Sequence, residues 1–463
     1  MATTYLSRTN GSPTLGTKYT FSFWMKRCIT GFDHRLFNNF IDGSNAGQIY
    51  IDASNDRLNI VDTNGGSTHL NLTTTRRFRD TNSFYHIVIA ADTTQSTAAS
   101  RLKIYINGTQ IISANNGFAS ETYPSQDAIL KMNAAAASGQ TRIGSHNGGG
   151  DYFDGYMTHI HFIDGTAYAA STFGETDSTS GIWIPKTAPS VTYGNNGYFL
   201  KFENSGAMGT DSSGNSNTFA VSGTLTQSID TPDNNFAVLN PLPSQEINSS
   251  AFYEYGGTNC RSSTANFIAG VSGIYLDKGK WYFEMQTATA DSHIGIAGED
   301  KIMNGGTSGG VNNRLFYYED TTGYAYSYYG TNGQIYFSTT SDGTQTASYG
   351  NTFSSSDTIG CFADLDNNKL YFSKNGTIQN SGTGYDIQDN ILYAFGTSVY
   401  QSDTSLNFGN GTFKGVKLTG TTYSDANGEG IFKYSPNQGG ASNFDSSAKN
   451  FYTLNTKNIK EFG

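Results

Sequence analysis

The sequence predicts an all-β protein: two successive antiparallel β-sandwiches joined by an irregular linker and followed by a C-terminal arm. Short runs rich in Tyr, Phe, Ile and Val recur along the 463 residues, separated by Gly, Asn, Asp, Ser and Thr. Fifty-four glycines stand against eight prolines, a balance that belongs to many tight turns rather than to Pro-rich linkers. Aromatic residues reach 14%, with thirty Tyr and thirty Phe, side chains that suit a pleated, half-buried surface. Helical periodicity is nearly absent.

Composition narrows the function classes. Only 14% of residues are charged, so Ser, Thr, Asn and Gly must cover the surface. The net charge of −10 provides no basic footprint for displacing counterions from phosphates, which argues against nucleic acid. The densest basic cluster, Arg76, Arg77 and Arg79, reads as a solvated strand end. Cys28, Cys260 and Cys361 are odd in number and far apart, so they suit neither a disulfide framework nor a zinc site. Each is expected as a small buried apolar residue. No apolar run reaches membrane-spanning length, and no basic stretch followed by an apolar one opens the sequence.

In residues 1–230 the strand signals are YTFSFWMKR, QIYID, RLNIVD, HLNL, FYHIVIAAD, RLKIYING and YMTHIHFIDG. The series YTFSFWMKR, FYHIVIA, LKIYINGTQI and TRIGSHNGGGDYFDGYMTHIHFIDG resembles the laminin-G/pentraxin-type, concanavalin A-like jelly roll in order and spacing. It departs at Phe84, where that family often has Trp. The resemblance implies two antiparallel sheets packed face to face and glycan or protein binding, in some members with calcium. Asp151 and Asp154 beside the GGG turn, and Asp211 and Asn215 in GTDSSGNSN, offer the hard oxygens calcium prefers. The same residues are ordinary turn formers, so a calcium site and a plain turn both stand. No other cofactor is expected.

Concanavalin A-like folds also include glucanases, which need two carboxylates about 5 Å apart if retaining. Glu121, Glu175 and Glu203 are not paired with another acid at such spacing, so no enzyme is expected. His159 and His161 alternate along one strand but lack a third metal ligand.

Hydrophobic periodicity lapses over 231–250, where Pro232, Pro241 and Pro243 mark a linker. That linker contains NFAVLN (Asn235, Phe236, Leu239), and NFYTLN near the C-terminus (Asn450, Phe451, Leu454) repeats its pattern. Each N-F-x-x-L-N follows a sandwich, which suggests a repeated docking segment for assembly.

The second series, 251–413, contains KWYFEM, SHIGIAG, YAYSYYG, GQIYFS and DTIGCFADLDNNKLYFSKNGT, then SLNFG. Its Asn375-Gly376 is a favoured hairpin signal. These motifs, in order between Gly279 and Gly409, resemble the SPRY domain, which implies a bent β-sandwich that binds partners through variable loops and carries no chemistry. Tyr317, Tyr318, Tyr324, Tyr326, Tyr328 and Tyr329 are the expected ligand-binding residues, because Tyr offers an apolar face and a hydroxyl at low entropic cost. In a strand about half of them face the core. Asp364 and Asp366, the nearest candidates for an acid pair, fall on a hairpin turn. Residues 414–463 read as an extended arm packing on a neighbouring domain or chain.

Taken together, the modules look like those of tail-fibre or capsid-associated proteins of tailed bacteriophages. That resemblance implies a virion structural protein, assembled in the host cytoplasm and displayed at the particle surface or tail. Other virion proteins, further copies of the chain and a host glycan or receptor are its expected partners. Host attachment and capsid decoration are the alternatives, with polysaccharide depolymerisation the less expected third.

Overall fold

The computed structural model describes residues 3–136, 141–178, 181–241, 251–263, 265, 267–304, 323–340, 345–437 and 450–463. The chain divides into two compact units, Met1–Gln227 and Ser228–Gly463. Both are β-sandwiches made almost entirely of antiparallel strands.

In the first unit one sheet runs Phe118–Thr122, Ser67–Arg77, Arg57–Asn64, Asn45–Ile51, His34–Asp42, Thr141–Ile143, Tyr5–Arg8 and Ala220–Ser222. The facing sheet runs Tyr198–Leu200, Gly155–Asp164, Lys18–Arg27, Tyr85–Asp92, Leu102–Ile106 and Thr109–Ile111. Lys18–Arg27 shows how the sequence builds the core. Successive side chains alternate faces, so Phe21, Phe23 and Met25 enter the inter-sheet core, where Phe21 and Phe23 meet Phe37 at 4.8 and 4.7 Å. Trp24 takes the other face, stacked on His86 at 4.6 Å. That outer face is itself buried: Val88, Ile163, Ala170 and Phe173 form a second cluster, with Tyr168, Trp183, Val191 and Tyr193 packed against it. At the end of the same strand, buried Arg27 pairs with Asp56 at 2.8 Å, and Arg79 holds the second Asp56 oxygen at 2.8 Å.

In the second unit the larger sheet runs Ala251–Glu254, Asn259–Ser262, Asp403–Asn407, Lys280–Thr287, Thr358–Asp364, Lys369–Lys374 and Thr377–Ile378. The smaller runs Phe267–Leu276, Tyr393–Tyr400, Ser292–Gly298, Ala325–Tyr329, Gln334–Ser338 and Gln345–Ser348. Asn375 and Gly376 sit at φ 50° and 79° between the paired residues Lys374 and Thr377, the two-residue turn that the dipeptide predicts. The three cysteines are buried and free.

Lys280–Thr287 is again the two-faced strand. Trp281, Phe283 and Met285 fill the inter-sheet core, while Tyr282 and Glu284 turn outward and are nevertheless fully buried. The C-terminal residues cover them. Phe432 and Phe451 pack with Tyr282, Phe362 and Tyr371, and Tyr452–Thr453 adds a parallel strand beside Trp281 and Tyr282. Each carboxylate oxygen of Glu284 accepts two hydrogen bonds. Oε1 takes Tyr282 Oη at 3.1 Å and the Tyr434 amide at 2.7 Å; Oε2 takes Asn407 Nδ2 at 3.0 Å and the Lys433 amide at 2.9 Å.

The two N-F-x-x-L-N segments are not assembly segments free to dock elsewhere. They pair with each other: Phe236 bridges Asn455, the Ala237 amide donates to the Leu454 carbonyl at 2.9 Å, and the Thr456 amide to the Asn235 carbonyl at 3.0 Å. Phe236, Leu239, Phe451 and Leu454 are buried, and Asn450 opens the C-terminal segment with φ 63°. Asn455 caps the helix Thr456–Phe462 by accepting from the Asn458 amide at 2.9 Å. Residues 235–240, expected within a linker, therefore belong to the second sandwich, because Phe and Leu gain more from its core than from solvent. Among the described residues of the expected arm, Phe432 and Phe451–Thr453 likewise form part of a layer on that sandwich.

Two outcomes follow. Phe451→Ala should destabilise the second unit by about 3–5 kcal/mol, the usual cost of emptying a buried aromatic site, read by denaturant unfolding with the first unit's transition unmoved. Burial lifts the Glu284 carboxyl from 4.5 up to about 7 against the pull of its four donors. The folded state then holds a proton that the unfolded chain releases near 4.5, so the second unit should lose stability as pH rises between those values. Melting of the wild type across that range should show the slope, and Glu284→Gln should flatten it.

Candidate binding surfaces

The strand Ala325–Tyr329 decides which of the expected tyrosines can meet a ligand. Tyr326 and Tyr328 point into the inter-sheet core and are buried, a correction to their assignment as ligand-binding residues. The Tyr326 hydroxyl accepts from the Gln388 amide at 3.0 Å, and that of Tyr328 donates to the Asn351 carbonyl. Tyr324 lies on the same parity, partly buried against that core. Tyr329, one residue out of phase, turns to the outer face and is half-buried. Tyr317 and Tyr318 lie outside the described residues.

Around Tyr329 the outer face of the smaller sheet carries a belt of rings. His293 stacks on Tyr329 at 4.3 Å, and both meet Tyr336, at 5.3 and 5.1 Å. Phe267 joins His293 at 5.7 Å and Tyr400 at 5.2 Å. These five residues come from five neighbouring strands, so the belt crosses the sheet perpendicular to its strands over roughly 19 Å at the usual strand spacing. His293 and Phe267 are its buried floor, and half-buried Tyr329, Tyr336 and Tyr400 are its upper surface. A polar rim stands beside it. Asp291 Oδ1 accepts from Tyr329 Oη at 2.7 Å and from Thr331 Oγ1 at 2.8 Å, while Asn332 Nδ2 donates to Tyr336 Oη at 3.0 Å. Burial and neighbouring Asp291 push the Tyr329 phenol up, so it stays a neutral donor. Rings flanked by oriented amide and carboxylate groups can stack on a sugar or peptide face and fix its hydroxyls or amides.

The sequence reading missed Tyr336, Tyr400, Phe267 and His293. The signal was present as strand parity, since each occupies the outward position of its own strand.

The first unit's acidic residues have protein partners. Asp151 pairs with Arg35 at 2.9 Å, and Arg35 also lies over Tyr50 at 4.4 Å. Asp211 accepts from the amides of Phe199, Ser213 and Asn217 and from the Ser213 hydroxyl, all at 2.8–2.9 Å. Asn215 donates its amide to the Gly194 and Gly197 carbonyls. The Asp154 amide donates to His34 Nδ1 at 3.2 Å. The Asp151 carboxylate is thus engaged by a guanidinium and that of Asp211 by amide and hydroxyl donors, the contacts of ordinary turns. No group of three His, Cys, Asp or Glu among the described residues is placed to hold a metal.

His86 and His161 are structural. Trp183 Nε1, which can only donate, bonds His86 Nδ1 at 2.9 Å, so Nε2 carries the proton and faces Ser22 Oγ at 2.9 Å. His161 stacks on Phe199 at 3.9 Å and bonds Tyr193, while a bulge between Thr158 and His161 puts His159 at φ 47°. Asp364 pairs with Lys280 at 3.0 Å and Asp366 accepts the Gly279 amide at 2.8 Å, so both carboxylates are used in tying their turn to the start of the neighbouring strand.

Residues 2–172 match the family model described as the concanavalin A-like lectin/glucanases superfamily, and residues 280–411 match the SPRY domain. No curated protein matches the chain. Among solved structures it is similar to the SPRY domain of human HERC1, at 12% identity over 36% of this chain and 96% of that one, with a TM-score of 0.27. It is similar also to the heptameric SAP-like pentraxin of Limulus polyphemus, at 15% identity, 36% and 72% coverage and a TM-score of 0.26. A third is the TRIM65 PSpry domain, at 9% identity, 37% and 90% coverage and a TM-score of 0.27. The chain thus carries a concanavalin A-like sandwich followed by a SPRY sandwich, modules of a binding type, although the first superfamily includes glucanases.

Burial holds the imidazoles of His34 and His86 down to about 3 and keeps His161 well below its ordinary range. These rings stay neutral in the folded state while the unfolded chain takes up protons below about 6.5. Their contribution is complete above that pH and is lost as pH falls towards 3, by up to about 1.4 kcal/mol per pH unit for each ring. Acid unfolding followed by Trp fluorescence should show this loss, and His86→Gln should make it shallower.

Proposed function

We propose that the chain is a non-enzymatic structural protein of a tailed-phage virion, whose two sandwiches attach the particle to a glycan or receptor on the host surface. The aromatic belt Phe267–Tyr400–His293–Tyr329–Tyr336 carries this reading, because three of its tyrosines keep exposed surface beside Asp291 and Asn332. The pairing of a lectin-like with a SPRY module, the low charge and the Asn/Ser/Thr/Gly-rich surface support it. In this reading the particle surface or tail is its location, and other virion proteins and further copies of the chain are its partners. In this reading the N-F-x-x-L-N segments act inside the second unit, where they pair with each other.

Binding of the purified full chain to host cells and to a glycan array tests the proposal. Saturable binding is expected, with Tyr336→Ala and Tyr329→Ala each weakening it at least tenfold, as loss of a ring at an interface centre does. Absence of cell and glycan binding together with tight binding to capsid protein would overturn attachment in favour of a decorating role.

A further inference from the structure

A cleft of about 540 Å³ opens on the second unit between the larger sheet and the hairpin Thr412–Lys417, away from the belt. Its volume lies within the range of small-ligand sites. Among the described residues its lining holds three lysines, Lys414, Lys417 and Lys433, and no carboxylate, in a chain whose net charge is −10. The three cations are differently engaged. Lys414 Nζ pairs with Asp403 at 2.7 Å, and Lys433 Nζ donates to Thr358 Oγ1 at 3.1 Å. Lys417 has no ion-pair or hydrogen-bond partner for its ammonium among the described residues. A concave surface lined by one sign of charge raises the local concentration of the opposite sign.

The rest of the lining is apolar and hydroxylic. Phe413 and Leu418 lie in the wall, and Val416 is 70% exposed at the rim. Ser405 Oγ accepts the Lys414 amide at 2.7 Å, which holds the hairpin against the sheet. A simple anion has no use for the apolar wall, and a neutral sugar has none for the cations. A pyranose bearing a carboxylate uses both, its C–H face against Phe413, Val416 and Leu418 and its acid group towards Lys417 and Lys433.

We propose that this cleft is a binding site for an acidic sugar residue, the hexuronate type found in anionic polysaccharides. It deepens the attachment reading, on which it rests, by naming the glycan class. More than half of the site comes from residues 413–433, all of them beyond the SPRY-matched segment 280–411.

The test is titration of the full chain with glucuronic acid, glucose and inorganic phosphate, followed by calorimetry and by NMR shifts of lysine ε-methylenes. Glucuronate should bind saturably, at least tenfold more tightly than glucose or phosphate, and weaken as salt rises. Lys417→Glu, at an exposed position where folding is not at stake, should abolish binding with the melting temperature unchanged, and Lys417→Arg should restore it. Equal binding of glucose, preference for phosphate, absence of glucuronate binding, or full binding by Lys417→Glu would each overturn the proposal. Free sugar binding does not depend on host cells. A failed titration therefore sinks the cleft alone, whereas loss of cell binding in the belt variants with titration intact addresses the attachment reading.

Discussion

The central strand of one sheet in each unit is buried on both faces, and much of each unit's architecture answers that constraint. A strand sends alternate residues to opposite sides. A two-layer sandwich can bury only one of those sides, so a second apolar side demands a third layer. Lys18–Arg27 places Phe21, Phe23 and Met25 inward and Trp24 outward, and Ala170, Phe173, Trp183, Val191 and Tyr193 supply the cover for its sheet. Lys280–Thr287 places Trp281, Phe283 and Met285 inward and Tyr282 and Glu284 outward, and Phe432, Phe451 and the amides of Lys433 and Tyr434 supply theirs. The segments that look least structured by composition are thus needed to make the regular ones stable.

Glu284 shows how the cover is fixed in place. A buried carboxylate with no cation costs heavily unless its lone pairs are met. Here two of its four donors are main-chain amides of the covering layer, Lys433 and Tyr434. Apolar packing by Phe432 and Phe451 sets how strongly the layer adheres. The carboxylate sets its register, because an amide shifted by one residue points away.

Local patterns in the sequence carried the fold a long way. The alternation in YTFSFWMKR and KWYFEM, and the Asn375-Gly376 turn, act over a few residues and are visible as such. The antiparallel bridge from Phe236 to Asn455 joins residues more than two hundred positions apart, and no short pattern encodes it. Repetition of N-F-x-x-L-N was noticed, yet repetition suggests two equivalent sites as readily as two halves of one clasp. For the binding surface, parity separated Tyr329 from Tyr326 and Tyr328, but assembling Phe267, His293, Tyr336 and Tyr400 beside it required the order of the strands. The acids at Asp151 and Asp211 have the composition of a cation loop. Only the structure shows that their oxygens meet Arg35 and the amides of a turn.

The clasp also bears on how the polypeptide is made. The first unit ends at Gln227 and contains everything its sandwich needs, so it can complete folding while translation continues. The second cannot. Tyr452 and Thr453 lie beside Trp281 and Tyr282, and Leu454 receives the amide of Ala237, so its earliest and latest residues must meet before its core is closed. A ribosome stalled anywhere between residues 413 and 431 would therefore present a complete first sandwich and a second one with Tyr282 and Phe362 bare to solvent. Such a truncated product would be sticky, and readily distinguished by quality-control machinery from a finished chain.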